Sequence, residues 1–433
     1  MRQTQKIPLD FFKIILCLLF VSGSFSPAIT NATEYFVAKD GNDAQPGTKS
    51  APFLSIKKGM TTMSAGDKLY LRTGIYEETI NSRHFTIPTG TSWGNAPVIA
   101  AYPGEMVTLK PSGAWEIINL SHSYIQYVIF EGVILDGINL NTEHGMGISL
   151  TGGANHVRFR NLEVKNVPIN GVMLTPAPSE KISGISAGGT FNEFIGGKYH
   201  NAGWSPDLVG IGTETAYNFY IATNNNLIDG AEVYNATGYG FHIYNTVLPK
   251  PSHNIVRNCR IYNNSTQRAS QAGILLGSGI GNMAYNNLVY DGRGHGIKVS
   301  NGAVDSLVYN NTIYDNDEAG VNIGNATNTV IKNNISYKNK SPYINQGFST
   351  IESNNMMDGT DPGFVDPENL DWRLKSDANY KSPAIDAGLT LAEVIMDFQG
   401  NARPQGPKYD IGAFEFNQST VGAPRNTRIV TVR

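Results

Sequence analysis

The strongest constraint on this chain is a segment that repeats itself. Four stretches between residues 255 and 340 align: Val256-Arg257-Asn258-Cys259-Arg260-Ile261-Tyr262, Ala284-Tyr285-Asn286-Asn287-Leu288-Val289-Tyr290, Val308-Tyr309-Asn310-Asn311-Thr312-Ile313-Tyr314 and Ile331-Lys332-Asn333-Asn334-Ile335-Ser336-Tyr337. Each has an apolar residue, an Asn two places on and a Tyr four places after that Asn. The Tyr-to-Tyr steps are 28, 24 and 23 residues. A second run follows after a short polar turn: Gly273-Ile274-Leu275-Leu276, Gly296-Ile297-Lys298-Val299 and Gly320-Val321-Asn322-Ile323. A period of this length marks a solenoid, because one repeat cannot bury its apolar face alone. The runs are short, alternating and rich in Val and Ile, so they read as strands. Rungs of such strands stack about 4.8 Å apart and bring like residues into columns. The columns are inward Ile, Val and Leu, and an amide ladder expected at Asn258, Asn286, Asn310 and Asn333. Leu-x-x-Leu-x-Leu spacing is absent, which argues against a leucine-rich horseshoe. The expected fold class is therefore all-β, a parallel β-helix.

A solenoid lengthens along one axis, so 433 residues need not mean several cores. A net charge of −3 with 16% charged residues gives neither a nucleic-acid footprint nor a disordered polyelectrolyte. With Cys17 and Cys259 alone there is no disulfide framework, so rung stacking must hold the fold. Residues 1–32 read as a secretory signal: Arg2 and Lys6, an apolar run from Ile14 to Val21, then small residues up to Thr30-Asn31-Ala32. The expected plan is signal 1–32, cap and first rung 33–80, β-helix 81–350, closing segment 351–416 and tail 417–433. The mature chain then has no membrane span, sits outside the cell or in the periplasm, and is a monomer.

The order Tyr35-Phe36-Val37-Ala38-Lys39-Asp40-Gly41, Pro46-Gly47-Thr48, Ala51-Pro52-Phe53, Ser55-Ile56 and Ala65-Gly66-Asp67-Lys68-Leu69-Tyr70-Leu71 resembles the N-terminal segment of secreted right-handed β-helix proteins of the pectate-lyase-like superfamily. Family 9 polysaccharide lyases are among them. Phe53, Ile56, Met60 and Met63 fall near helical spacing, suited to a short helix that caps the open core. Residues 351–416, with Asp361-Pro362-Gly363-Phe364, Ser382-Pro383-Ala384-Ile385-Asp386 and Asp410-Ile411-Gly412-Ala413-Phe414-Glu415, resemble the closing segment of bacterial β-helix proteins. Their Asp and Arg residues read as turn and ion-pair residues. The resemblance implies a right-handed helix and a polysaccharide partner. Family 9 lyases bind Ca²⁺ through aspartates near a catalytic Lys. No such cluster stands beside Lys298, so that site is not carried over, nor is the Asp-Pro-His-Asp motif of alginate epimerases present.

Counting from the rung glycines aligns outward residues. Two places on come Gly212, His242, Leu275, Lys298 and Asn322; four places on come Glu214, Tyr244, Gly277, Ser300 and Gly324. His242 and Tyr244 then share a face, with Glu214 one rung from Tyr244 and Lys298 two rungs from His242. Arg268, Arg293 and His295 enter from the preceding turns. β-Elimination from an acidic polysaccharide needs a cation for the uronate carboxylate, a base for the proton beside it and an acid for the leaving oxygen. His242, Tyr244 and Lys298 are the catalytic candidates; Glu214, Arg268, Arg293 and His295 are the substrate-binding ones. A glycoside hydrolase or epimerase in the same groove, or a non-catalytic carbohydrate-binding surface protein, is the alternative. Hydrolysis needs two carboxylates, for which Asp207 with Glu214 and Asp291 with Asp315 are candidates. Asp291 and Asp315 follow the rung Tyr and read first as turn residues. No cofactor is assigned; Ca²⁺ is the ion that stacked carboxylates could hold.

Overall fold

The computed structural model describes residues 32–176, 189–203 and 216–417. Residues 1–31 of the expected signal (1–32), and Asp207, Gly212 and Glu214, lie outside the described residues. From Thr33 onward the strands form three long sheets in which every pairing is parallel. The first has twelve strands, from Glu34–Val37 to Ile351–Ser353; the second and third have ten each. Each rung visits the first, second and third sheet in turn, as in Lys68–Leu71, Gly74–Tyr76 and Ile80–Asn81. The chain is thus an all-β parallel β-helix.

The alternation explains the stacking. In the third sheet Phe219, Phe241, Ile274, Ile297 and Val321 are partners in register and all fully buried. Gly296 is glycine because a Cβ there would stand 2.6 Å from the carbonyl oxygen of Gly320 on the next rung. The helix Ile56–Thr62, capped by the Ser55 hydroxyl, adds Ile56 and Met60 to the same core as Val37 and Leu69.

The expected column forms part of a ladder, Asn286 donating to Asn258 (3.4 Å) and Asn333 to Asn310 (3.2 Å), and a second, continuous ladder stands one residue further on. Asn258, Asn286, Asn310 and Asn333 hold the left-handed turn after each first-sheet strand, with φ of 54°, 52°, 48° and 57°. Asn tolerates that conformation better than most residues. The continuous ladder is made by the next residue: Asn287 donates to Asn311 (3.0 Å), Asn311 to Asn334 (2.9 Å) and Asn334 to Asn355 (3.0 Å). Cys259, fully buried, occupies the same column, and its amide donates to Asn287 Oδ1.

The turn asparagines do other work. Asn286 accepts from Arg403, Asn310 donates to the carbonyls of Asp410 and Gly412, and Asn333 donates to that of Leu389. Residues 357–417 therefore pack along the side of the last rungs. Trp372, Ile385 and Phe414 cover Tyr290 and Tyr314 of the second sheet, while Leu391, Val394 and Tyr409 cover Tyr285 and Tyr309 of the first. Arg403 and Glu415 form a fully enclosed ion pair there, and Asp397 accepts from the amides of Gln399 and Asn401. The Asp and Arg residues of this segment are structural.

Candidate functional site

The outer face of the third sheet carries, on successive rungs in register, Tyr220, His242, Leu275, Lys298 and Asn322. The rung before His242 is Phe219–Ile221, so its neighbour is Tyr220; the expected Gly212 and Glu214 rung is not its partner. Alternation also brings Tyr244 outward. Four tyrosines surround the His242 ring: Tyr217 and Tyr220 stack on it at 4.4 and 5.2 Å, Tyr239 lies tilted at 4.8 Å and Tyr244 meets it edge-on at 5.4 Å.

His242 is 9% exposed, and burial pushes its pKa down to about 3. The imidazole is neutral at physiological pH and a poor proton carrier in either direction. Its Nδ1 is enclosed with no partner. An enclosed N–H without an acceptor costs more than an enclosed lone pair, so the proton belongs on Nε2. A neutral His242 with its proton on Nε2 can donate a hydrogen bond.

Lys298, two rungs along or roughly 10 Å, is half-buried. Desolvation lowers its pKa, and its Nζ donates to the Ser270 carbonyl at 3.0 Å. His295 begins the same strand, His295–Val299, and is buried; burial and the Lys298 charge push its pKa down to about 4. Its Nδ1 accepts the Ala319 amide (3.1 Å), so its Nε2 carries the proton. The Asn322 amide, 3.1 Å away, then presents oxygen to it. His295 is thus a strand residue tied between rungs and not part of the preceding turn. Arg268 is exposed, and its charge opposes the rise that burial imposes on the Tyr217 and Tyr239 hydroxyls, Tyr217 still being raised to about 12. Arg293 is exposed and donates to the Thr266 carbonyl at 2.9 Å. Asp291 and Asp315 are left-handed turn residues one rung apart, at φ 52° each, between the second and third sheets and not on this face. Burial first, then the Asp315 charge, raises the Asp291 pKa. Among the described residues no group of three or more His, Cys, Asp or Glu side chains is placed to hold a metal ion.

The family model for the right-handed β-helix region matches residues 113–361, more than half of the chain. This protein belongs to the right-handed β-helix family. Its structure is similar to the crystal structure of pectate lyase Pel9A, with a TM-score of 0.66 and 19% identity over 90% of this chain and 98% of that one. It is also similar to a rhamnogalacturonan lyase, at a TM-score of 0.52 and 15% identity over 86% of this chain and 99% of that one. At those identities the likeness is one of fold. In sequence it is 36% identical over 92 residues to pectate lyase PEL9 of Emericella nidulans, a match that spans 21% of this chain and 21% of that protein.

Within this β-helix the sequence reading missed Tyr217, Tyr220 and Tyr239. The strand Phe219–Ile221 has Asn218 where other rungs have glycine, so an alignment anchored on glycine passes over it. Tyr239, immediately before Gly240, was legible: its rung position is that of Ala272 and His295.

Proposed function

We propose that this β-helix protein cleaves an acidic, uronate-containing polysaccharide by β-elimination on the outer face of its third sheet. The observation that carries the reading is Lys298, a lysine whose pKa is lowered by burial, on the same face as the tyrosine-walled His242. A lowered pKa raises the neutral fraction of the amine that can take a proton. In the proposed step Lys298 Nζ removes the proton α to the uronate carboxylate. Those electrons form the ring double bond, the glycosidic C–O bond breaks, and the Tyr244 hydroxyl returns a proton to the leaving oxygen. Arg268 holds the carboxylate, and His242 Nε2–H donates to a substrate oxygen. The tyrosine rings offer flat, amphipathic surfaces against which a sugar ring can lie. The lyase names of the similar structures support the reading without deciding it. We place the mature protein outside the cell, in keeping with its N-terminal sequence; no helix among the described residues is long and apolar enough to cross a membrane.

The test is a screen over uronate polysaccharides that reads the ultraviolet absorbance of the conjugated product. With the substrate found, Lys298→Met and Tyr244→Phe are each expected to lower turnover by about 10²–10⁴-fold with little change in binding. New reducing ends without that absorbance would overturn elimination in favour of hydrolysis. Retention of binding to gels with neither signal would make the protein a carbohydrate-binding module.

A further inference from the structure

The outer face of the first sheet, a different wall of the helix, holds a cleft of about 530 Å³ near its N-terminal end. Its origin is legible in the register. Tyr70, Ala100, Glu131 and Arg160 are partners on four successive rungs. A small residue between large ones leaves a gap about one side chain deep. Tyr102, edge-on to Tyr70 at 5.4 Å, walls one end, and Arg160 walls the other.

Arg160 is the unusual group. Its neighbour Arg158 is fully engaged, bonded to Glu193 at 2.6 Å and laid over the Trp93 ring at 3.8 Å. Arg160 has no comparable partner. Its Nε is enclosed without an acceptor, and its nearest carboxylate oxygen, on Glu131, is 3.8 Å from Nη1. Burial, then the Arg158 charge, lowers its pKa. A guanidinium almost never gives up its proton, so its unmet donors call for an acceptor from outside. The other carboxylate of the cleft, Glu105, is already held by Arg72 at 2.7 Å. Lys68 adds a further positive charge to the lining.

We propose that this cleft is a second saccharide-binding site that takes one carboxylate-bearing sugar residue. The carboxylate pairs with the two Nη groups of Arg160, whose side chain is 22% exposed, in the two-pronged manner that guanidinium and carboxylate share. The ring lies over Ala100 against Tyr70 and Tyr102. The volume falls within the range of small-ligand sites, about 300–1,000 Å³. The cleft would anchor an acidic chain on a wall of the helix that the third-sheet groove does not use, so the proposal stands or falls separately from the elimination reading.

The experiment is saturation-transfer NMR on the full chain with glucuronate and galacturonate, with glucose, galactose and inorganic sulfate as controls. Wild type should bind a uronate and not the matching neutral hexose. Arg160→Met and Ala100→Leu, the second filling the gap without touching a charge, should each weaken uronate binding by at least about 10-fold. Their melting temperatures should stay near that of wild type, which separates loss of the site from loss of the fold. Arg268→Met, which removes the carboxylate-holding cation proposed for the other groove, should leave a uronate signal that Arg160→Met then removes. The proposal is overturned if folded Arg160→Met or Ala100→Leu binds uronate like wild type. It is equally overturned if glucose binds as well as glucuronate, or if sulfate displaces the uronate completely at equal concentration, which would mark a bare anion site.

Discussion

Acidification should weaken this protein through His242, and the size of the effect follows from its tyrosine enclosure. The imidazole has a reference pKa of 6.5 and is pushed down to about 3 in the folded chain by burial alone. Because the folded value is depressed, the unfolded chain takes up the proton first. The stability tied to this group is whole above about pH 6.5 and is lost as pH falls toward 3. Each pH unit in that window is worth about 1.4 kcal/mol. Between pH 6.5 and 4.5 the loss is therefore about 2.3 kcal/mol, reduced to roughly 1–2 kcal/mol if the enclosure relaxes around the charge. His295, pushed down to about 4, acts in the same direction. The comparison must therefore be made against a variant that changes His242 alone. His242→Phe keeps a flat ring among Tyr217, Tyr220 and Tyr239 and removes the titration. Urea unfolding followed by intrinsic fluorescence at the two pH values gives four stabilities. The wild type should lose roughly 1–2 kcal/mol more than the variant on going to pH 4.5, with the carboxylate contributions cancelling between them. Equal losses in the two proteins would refute the reasoning, and with it the enclosed, neutral His242 on which its donor role depends.

Three further outcomes can be measured. Asn310→Leu should cost about 1–3 kcal/mol, because the carbonyls of Asp410 and Gly412 lose their donor in a buried turn; unchanged unfolding would place Asn310 outside the docking contact. Asn311→Leu should cost more, about 3–5 kcal/mol, since it strips partners from Asn287, Asn334 and the Ala284 carbonyl at once; a smaller loss than for Asn310→Leu would reverse the assignment of the ladder. N-terminal sequencing of the exported protein should start between about residues 25 and 33, where small residues follow the apolar run; Met1 at that terminus would argue for an uncleaved anchor.

The architecture was legible because the same physics acts on every rung. Inward positions must be apolar at each turn of the helix, so Ile261, Val289, Ile313 and their like announce the period wherever they recur. The second, continuous ladder was missed for an equally physical reason. In the pair Asn310-Asn311 both residues are selected, the first for a left-handed turn and the second for its amide, and composition cannot say which does which. Cys259 was the clue: it replaces the second Asn, never the first, and lies in the column of buried side chains. The site was half legible. The register through His242, Leu275 and Lys298 follows from counting along strands. The rung of Tyr220 does not, because its glycine position holds Asn218.

That missing rung changes what the groove is. Counted from sequence, His242 had small residues beside it and stood as an open proton carrier. With Tyr217 and Tyr220 in place, the ring is packed among tyrosines, and burial alone lowers its pKa. Lys298 feels the same effect in milder form: it is half-buried, keeps one carbonyl partner, and its pKa falls for want of solvent and not because a neighbouring cation repels it. A carboxylate brought near such a base raises its pKa again, against the lowering that burial produced. A uronate bound beside Lys298 would do this unless another cation neutralised it first. Arg268, whose charge reaches the Tyr217 and Tyr239 hydroxyls, is the group proposed for that task. The chemistry proposed for the groove thus requires Arg268 for more than affinity. Its loss should raise the apparent pKa of the base in the complex as well as the substrate concentration needed.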